Sequence, residues 1–253
     1  MIGAACMALL WLAGAEPAAS EESPDFLYVN GEADDFSPGG GGGSGGILWT
    51  HGFSRRFISE AGGFAYSLDG TSWAYARLGA TIVPSSRTIL HVDANVGGGT
   101  QADADIEYRA FRGSLTHGLV AGRVWADLES QYIRFGESNG NVVKLGAIVA
   151  PGPSLNGRVA YYFSTGGNLG ARYVTLRLDL QRRRIGLFTG LSVGHSRPEL
   201  FNFFTPPMAV DSTEVYFGIR VPAGRNEVTA YVDSVGVEGV RRNALAFVLK
   251  LRL

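Results

Sequence analysis

The stretch LAFVLKLRL at residues 245–253 sets Leu245, Phe247, Leu249, Leu251 and Leu253 on alternate positions, with Ala246, Val248, Lys250 and Arg252 between them. A period of two is that of a β-strand, whose successive side chains point to opposite faces. One face is wholly apolar; the other ends in two cations. Chain termini are ordinarily polar and fray. A strand that stays apolar to its last residue needs a partner strand and apolar surroundings. In hydrocarbon an unpaired backbone N–H or C=O costs several kcal/mol, so a sheet there has to close on itself. The expectation is a final strand paired with the first. Its apolar stripe lies against lipid, and Lys250 and Arg252 turn into a lumen.

Working back from this strand, the same period recurs almost everywhere from residue 47 onward. Ala74, Ala76, Leu78, Ala80 and Ile82 share one face, and Leu90, Val92, Ala94 and Val96 share one face of the next run. Ala104, Ile106, Tyr108 and Ala110 alternate with Asp105, Glu107 and Arg109, and Val143, Leu145, Ala147 and Val149 flank Lys144. Val159, Tyr161 and Phe163 oppose Asn156, Arg158 and Tyr162, while Val174, Leu176, Leu178 and Leu180 oppose Thr175, Arg177 and Asp179. Val215, Phe217, Ile219 and Val221 oppose Glu214, Tyr216 and Arg220. Turn-forming residues near 84–86, 137–141, 151–153, 165–168, 222–225 and 240–243 separate the runs. Evenly spaced strands with turn signals between them, about twelve here, indicate an all-β barrel or sandwich. No segment of useful length repeats at the helical period.

A sandwich in water alternates too, but its polar face meets water and is rich in Lys, Glu and Thr. Here that face carries isolated charges of both signs among aromatics and glycines. Lys144 and Lys250 are the only lysines in 253 residues, whereas sheet edges in water commonly use Lys. The set Arg77, Asp93, Asp105, Glu107, Arg109, Arg123, Asp127, Arg158, Arg177, Asp179, Glu214 and Arg220 can neutralise itself inside an enclosed lumen. Runs such as 103–114 and 171–181 reach the length of about ten residues that a tilted membrane strand needs. Trp49, Trp73 and Trp125 near strand ends fit interfacial girdle positions. A net charge of −1 removes any electrostatic basis for nucleic-acid binding.

Residues 2–15 are uncharged and mostly apolar, shorter than the span of about 20 residues a membrane helix needs. Ala13, Gly14 and Ala15 have the small-x-small form of a signal-peptidase site. Residues 1–15 therefore read as a cleaved export signal, although no Lys or Arg precedes the apolar run. Cleavage would remove Cys6, the only cysteine, and leave no disulfide framework or thiolate metal site. Residues 16–38 are acidic with three prolines, and 39–46 are glycine apart from Ser44. Such glycine loses much backbone entropy on ordering and offers no side chain to bury. Residues 16–46 are thus expected to be a flexible leader ahead of a barrel at 47–253. A phosphate-binding loop would end in Lys followed by Ser or Thr, and this run does not.

Outer-membrane barrels include enzymes. In size and strand count the chain resembles the outer-membrane phospholipase A family, whose His and Ser sit two apart on one strand. Here His195 and Ser196 are adjacent and would point to opposite faces, which breaks a nucleophile–base pair. ESNG at 137–140 matches part of that family's motif without its His. His51, His91 and His117 are scattered; His91 and Asp93, two apart, suit a lumen hydrogen bond better than a metal. Asp103, Asp105, Glu107, Asp127 and Glu129 form an acidic group with arginines as counterparts. No catalytic residue, cofactor or metal is assigned.

WAYARLG at 73–79, SLTHGLVAGRVWADLESQYIRFG at 114–136 and the closing strand are similar to the YaiO-type outer-membrane barrels. The resemblance covers residues 60–253 and implies an outer-membrane location and a part in envelope or polysaccharide traffic. It brings no catalytic residues, and the tetratricopeptide segment of polysaccharide exporters does not precede the barrel. The closing strand also resembles the C-terminal signal read by the barrel-assembly machinery, with Leu253 where an aromatic residue is usual. The expected protein is a single antiparallel transmembrane β-barrel of about twelve strands in a bacterial outer membrane. It is non-enzymatic, a narrow channel or structural barrel whose partners are outer-membrane lipid, the assembly machinery and small solutes or polysaccharide. The alternatives are a phospholipase-like hydrolase and a secreted carbohydrate-binding β-sandwich.

Overall fold

The period of two extends through fourteen strands in a computed structural model, which describes residues 25–253 apart from 38, 69–70, 102–103, 196–210 and 238. They are β1 (Phe26–Ser37), β2 (Gly41–Ser54), β3 (Phe57–Leu68), β4 (Thr71–Ser85), β5 (Thr88–Gln101), β6 (Ala104–Val120) and β7 (Val124–Phe135). Then follow β8 (Ser138–Gly152), β9 (Leu155–Gly167), β10 (Arg172–Arg182), β11 (Ile185–His195), β12 (Asp211–Ala223), β13 (Asn226–Val237) and β14 (Val240–Arg252). Each strand pairs antiparallel with its neighbours in sequence, and β1 pairs with β14 from Phe26↔Arg252 to Ser37↔Arg241. The barrel is closed, which excludes a sandwich of two stacked sheets.

The strand count is fourteen rather than about twelve because the expected leader contributes β1 and β2. The signal at 1–15 and residues 16–24 lie outside the described residues. Acidity and glycine both imitate a linker, but each has a structural use here. In β1, Tyr28, Glu32, Asp34 and Phe36 alternate inward and are buried. The Lys250 ammonium of β14 sits 4.1 Å from the Phe26 ring centroid and 5.7 Å from that of Tyr28, in cation–π range. In β2, Gly46 pairs with Phe64, whose ring lies over it; a Cβ on Gly46 would fall 2.2 Å from that ring. Cross-strand aromatic cover of glycine is a recognised way of stabilising a glycine-rich strand. The turn expected at 240–243 is instead the start of β14.

Burial assigns the faces. On β14, Arg242, Ala244, Ala246 and Val248 are buried in the lumen, and Leu245 and Phe247 are exposed at 62% and 52% on the outer wall. The outer wall repeats this on every long strand: Leu78, Val92, Phe111, Leu145, Leu178 and Phe217 are all exposed. The apolar belt is not centred. It starts at the short turns joining β2–β3, β4–β5 and so on around the barrel, and stops short of the opposite end. On β14 Arg241 and Asn243 precede it; on β12 Asp211 and Thr213 do. A belt of seven to nine residues per strand, from 174–180 on β10 to 245–253 on β14, at about 3.3 Å each and tilted by about 40°, spans roughly 18–23 Å, close to the height of a lipid-facing band. The two ends are called here the turn rim and the loop rim.

Trp49 points outward and stacks on His51 at 5.5 Å; His51 packs edge-on against Phe53 at 4.4 Å, and Phe53 meets Phe57 at 5.5 Å. This aromatic ladder runs down the wall to the turn rim. Trp73 and Trp125, by contrast, face the lumen rather than a girdle, and Trp73 is only 5% exposed. At the turn rim His51 Nδ1 lies 2.8 Å from Asp25 Oδ1. This hydrogen bond and that from the Gly52 amide hold the Asp25 carboxyl below the usual carboxylate range. A depressed carboxylate stabilises the fold above its unfolded value and loses that contribution as the pH falls through the folded one. A carbon-13 titration of Asp25 should therefore show its midpoint below that of the same residue in His51→Ala.

Candidate functional site

The lumen gathers the charges that the strands turn inward, in four groups. At the seam between first and last strands, Arg242 Nε donates to Asp34 Oδ1 at 2.7 Å and Nη1 to Asp233 Oδ2 at 2.7 Å, while Nη2 meets Glu32. Tyr231 Oη also donates to Glu32 at 3.4 Å. Arg242 side-chain exposure is 0%. On β3–β6, Arg77 Nη2 donates to Glu60 at 3.0 Å and Arg112 Nε to Asp93 at 2.6 Å. His91 bridges Asp93 at 3.0 Å and Thr81 at 2.9 Å, and Asn95 donates to Asp93 at 2.9 Å.

On β7–β8, Lys144 Nζ sits 2.9 Å from Asp127 and 3.1 Å from Glu129, and Thr116 donates to Asp127 at 3.2 Å. On β10, Arg177 grips Asp179 with two bonds of 2.9 and 2.7 Å and lies over the Phe188 ring at 4.7 Å. Arg158 of β9 pairs with Arg177 in register, and Arg220 of β12 approaches Glu227 at 3.4 Å. Burying so many charges is tolerable only because they are paired and hydrogen-bonded.

The packing is uneven around the circumference. Carboxylates of Asp34, Glu60, Asp93 and Asp233 have 0% side-chain exposure. Ser114, Asp127, Gly146, Arg158, Tyr162, Thr175, Arg177 and Tyr216 stay half-buried, so water-accessible lumen runs along the β6–β12 wall. Strands seven apart in a ring of fourteen are diametrically opposite. Arg158 on β9 and Arg177 on β10 therefore stand across the lumen from β2 and β3. The acids on that side, Glu32, Asp34 and Glu60, are buried and already paired with Arg242 and Arg77.

Towards the loop rim the lumen turns apolar. Phe36, Tyr66, Trp73, Ile106, Phe135, Val235 and Val237 form one buried cluster, with Tyr75 and Tyr108 packed on it. Ile106 on β6 and Val235 on β13 stand on opposite walls, so this cluster bridges the bore. Trp73 is its centre, 5.3 Å from Tyr75, 5.1 Å from Tyr108 and 5.6 Å from Phe135. Room for Trp73 and Tyr75 comes from the facing strand: Trp73 pairs with Gly99 and Tyr75 with Gly97. A Cβ on either glycine would fall 2.0 Å from a β4 carbonyl oxygen.

Of the expected lumen residues, Arg77, Asp93, Asp127, Arg158, Arg177, Asp179, Glu214 and Arg220 do face inward. Asp105, Glu107 and Arg109 do not: they lie on the outer wall of β6 above the apolar belt, with Glu107 bridged to Arg109 and Arg134. Their apolar neighbours Ile106 and Tyr108 take the lumen, because the bore at that level is filled by the aromatic cluster. Arg123 sits in the β6–β7 turn, exposed. Asp103 lies outside the described residues. Sequence reasoning missed Glu32, Asp34, Glu60, Arg112, Asp233 and Arg242. Arg242 was accessible in principle, since it is in phase with Lys250 and Arg252 on the closing strand.

His195 faces outward and hydrogen-bonds Asp211 at 3.0 Å; Ser196 lies outside the described residues. Among the described residues, no three or more His, Cys, Asp or Glu side chains are grouped to hold a metal ion.

No protein-family model matches the chain, and no curated protein is similar to it in sequence. Solved structures share its shape. A "CymD monoaromatic hydrocarbon channel" superposes with a TM-score of 0.64 at 8% identity, over 90% of this chain and 88% of that one. A "bacterial polysaccharide outer membrane secretin" gives 0.56 at 9%, over 92% and 100%. A "KdgM porin" gives 0.50 at 9%, over 87% and 97%. At such identities what this chain has in common with them is the fold: a closed antiparallel barrel of the porin and channel kind.

Proposed function

We propose that this protein is a non-enzymatic outer-membrane barrel that acts as a narrow channel for small polar solutes. The observation that carries the reading is the half-buried polar strip along β6–β12, on which Arg158 and Arg177 lie side by side. A static barrel would have no use for wetted charge beside a tightly packed half. The fold shared with porins and channels supports the same reading. So does the apolar outer belt, whose height suits a bilayer.

The aromatic bridge around Trp73 is the constriction that makes the channel narrow. We extend the proposal to a YaiO-type role in envelope or polysaccharide traffic, with assembly through the closing strand. Half-buried Tyr162, backed by the buried Tyr173 ring 4.3 Å away, would suit a sugar ring. Planar-bilayer recording tests the core claim. The wild type should give small, discrete conductance steps, and Trp73→Ala together with Phe135→Ala should enlarge them several-fold. Silence in both would make the protein a structural barrel.

A further inference from the structure

The six tight turns of the turn rim carry a charge pattern that the channel reading leaves unused. Five of them hold arginine: Arg55 and Arg56 between β2 and β3, Arg87 between β4 and β5, Arg123 between β6 and β7, Arg183 and Arg184 between β10 and β11, and Arg225 between β12 and β13. All seven residues are exposed. The carboxylates near this rim among the described residues are Asp25, bonded to His51, Glu227, which faces Arg220, and the terminal carboxylate of Leu253, whose amide donates to the Asp25 carbonyl. The loop rim differs in kind: Asp35, Asp105, Glu107, Glu137 and Asp211 are mixed there with Arg109, Arg134, Arg172 and Arg241.

Depth is the second observation. The apolar belt reaches down to these turns, with exposed Phe57 beside Arg56, Leu119 and Val120 before Arg123, and Ile185 after Arg184. Guanidinium groups one to three residues beyond hydrocarbon lie at the level of lipid phosphates. Arginine's planar fork pairs with phosphate oxygens two at a time, which a lysine ammonium does not. We propose that this arginine ring binds the phosphates of anionic phospholipid in the leaflet at the turn end. This rests on the reading that the belt meets hydrocarbon; short turns then mark the periplasmic side.

The test compares the full chain with a variant carrying R55Q, R56Q, R87Q, R123Q, R183Q, R184Q and R225Q. Both are inserted into vesicles of equimolar phosphatidylcholine and phosphatidylglycerol and extracted in mild detergent. The lipids retained are counted by native mass spectrometry, and heat-modifiable gel migration reports folding. The wild type should retain phosphatidylglycerol over phosphatidylcholine by a factor of about five or more, the effect expected of clustered cations at an anionic surface. The variant should fold and lose the preference. A control with R109Q, R134Q and R241Q at the loop rim should keep it. No preference in the wild type, a preference that survives in the variant, or one lost equally in the control would each overturn the assignment. Preference appearing only after removal of residues 1–24 would give the rim to the chain's own acidic segment and overturn it too. Failure of the wild type to insert into any vesicle would instead overturn the membrane reading itself.

Discussion

Replacing Arg242 with Met should lower the unfolding free energy by about 3–5 kcal/mol, the usual cost of removing one partner from a buried ion pair. Arg242 is shielded from solvent and is shared by Asp34, Asp233 and Glu32. Methionine fills much of the space but leaves three acids facing one another without a cation. Adding E32Q, D34N and D233N to R242M should restore most of the loss, because neutral amides need no counter-charge. Urea titrations of tryptophan fluorescence in lipid vesicles measure both steps. A loss under about 1 kcal/mol for R242M, typical of solvent-exposed pairs, would mean that water reaches the seam and that the group is not the lock described here.

Gly99→Val is expected to be nearly as damaging for a different reason. Its Cβ would lie 2.0 Å from the Ser72 carbonyl oxygen and 2.4 Å from the Trp73 Cα. These are backbone atoms, so no rotamer change relieves the clash, and β4 would have to move away from β5. Overpacking of this kind costs about 1–3 kcal/mol and more where the surroundings cannot yield. The same urea titration should show a loss at the upper end of that range, with faster amide exchange confined to the β4–β5 ladder. Gly113→Ala on the outer wall of β6, where nothing lies within 4 Å of the added carbon, should change stability by less than about 0.5 kcal/mol. Equal effects from the two substitutions would defeat the packing explanation.

Much of this barrel was legible in its period. Alternation in β8, β9, β10, β12 and β14 gave the correct faces, because there the outer wall meets the apolar belt and the lumen is polar. It failed at the loop end of β6. There the chain alternates Ile106, Tyr108 and Ala110 with Asp105, Glu107 and Arg109, as elsewhere, but the bore is apolar and the outer wall is polar. Period two reveals two faces without saying which is inside. Composition misled at residues 26–46. Glycine and acids lower the expectation of order, yet Phe64 covers Gly46 and Arg242 compensates Glu32 and Asp34. Both compensating residues are distant in sequence, which local propensity does not register.

The seam has a consequence for how the protein comes into being. Arg242 stands 208 residues from Asp34 in the chain, and its third acid, Asp233, arrives on the hairpin that carries Arg242 itself. A growing sheet that has added every strand but the last two holds Glu32 and Asp34 on its free edge with no guanidinium to meet them. Partly built forms are therefore electrically discouraged from going dry. Docking of the terminal hairpin zips the ladder and discharges the edge at a single stroke, so sealing of the wall and commitment to the bilayer become one cooperative event rather than two.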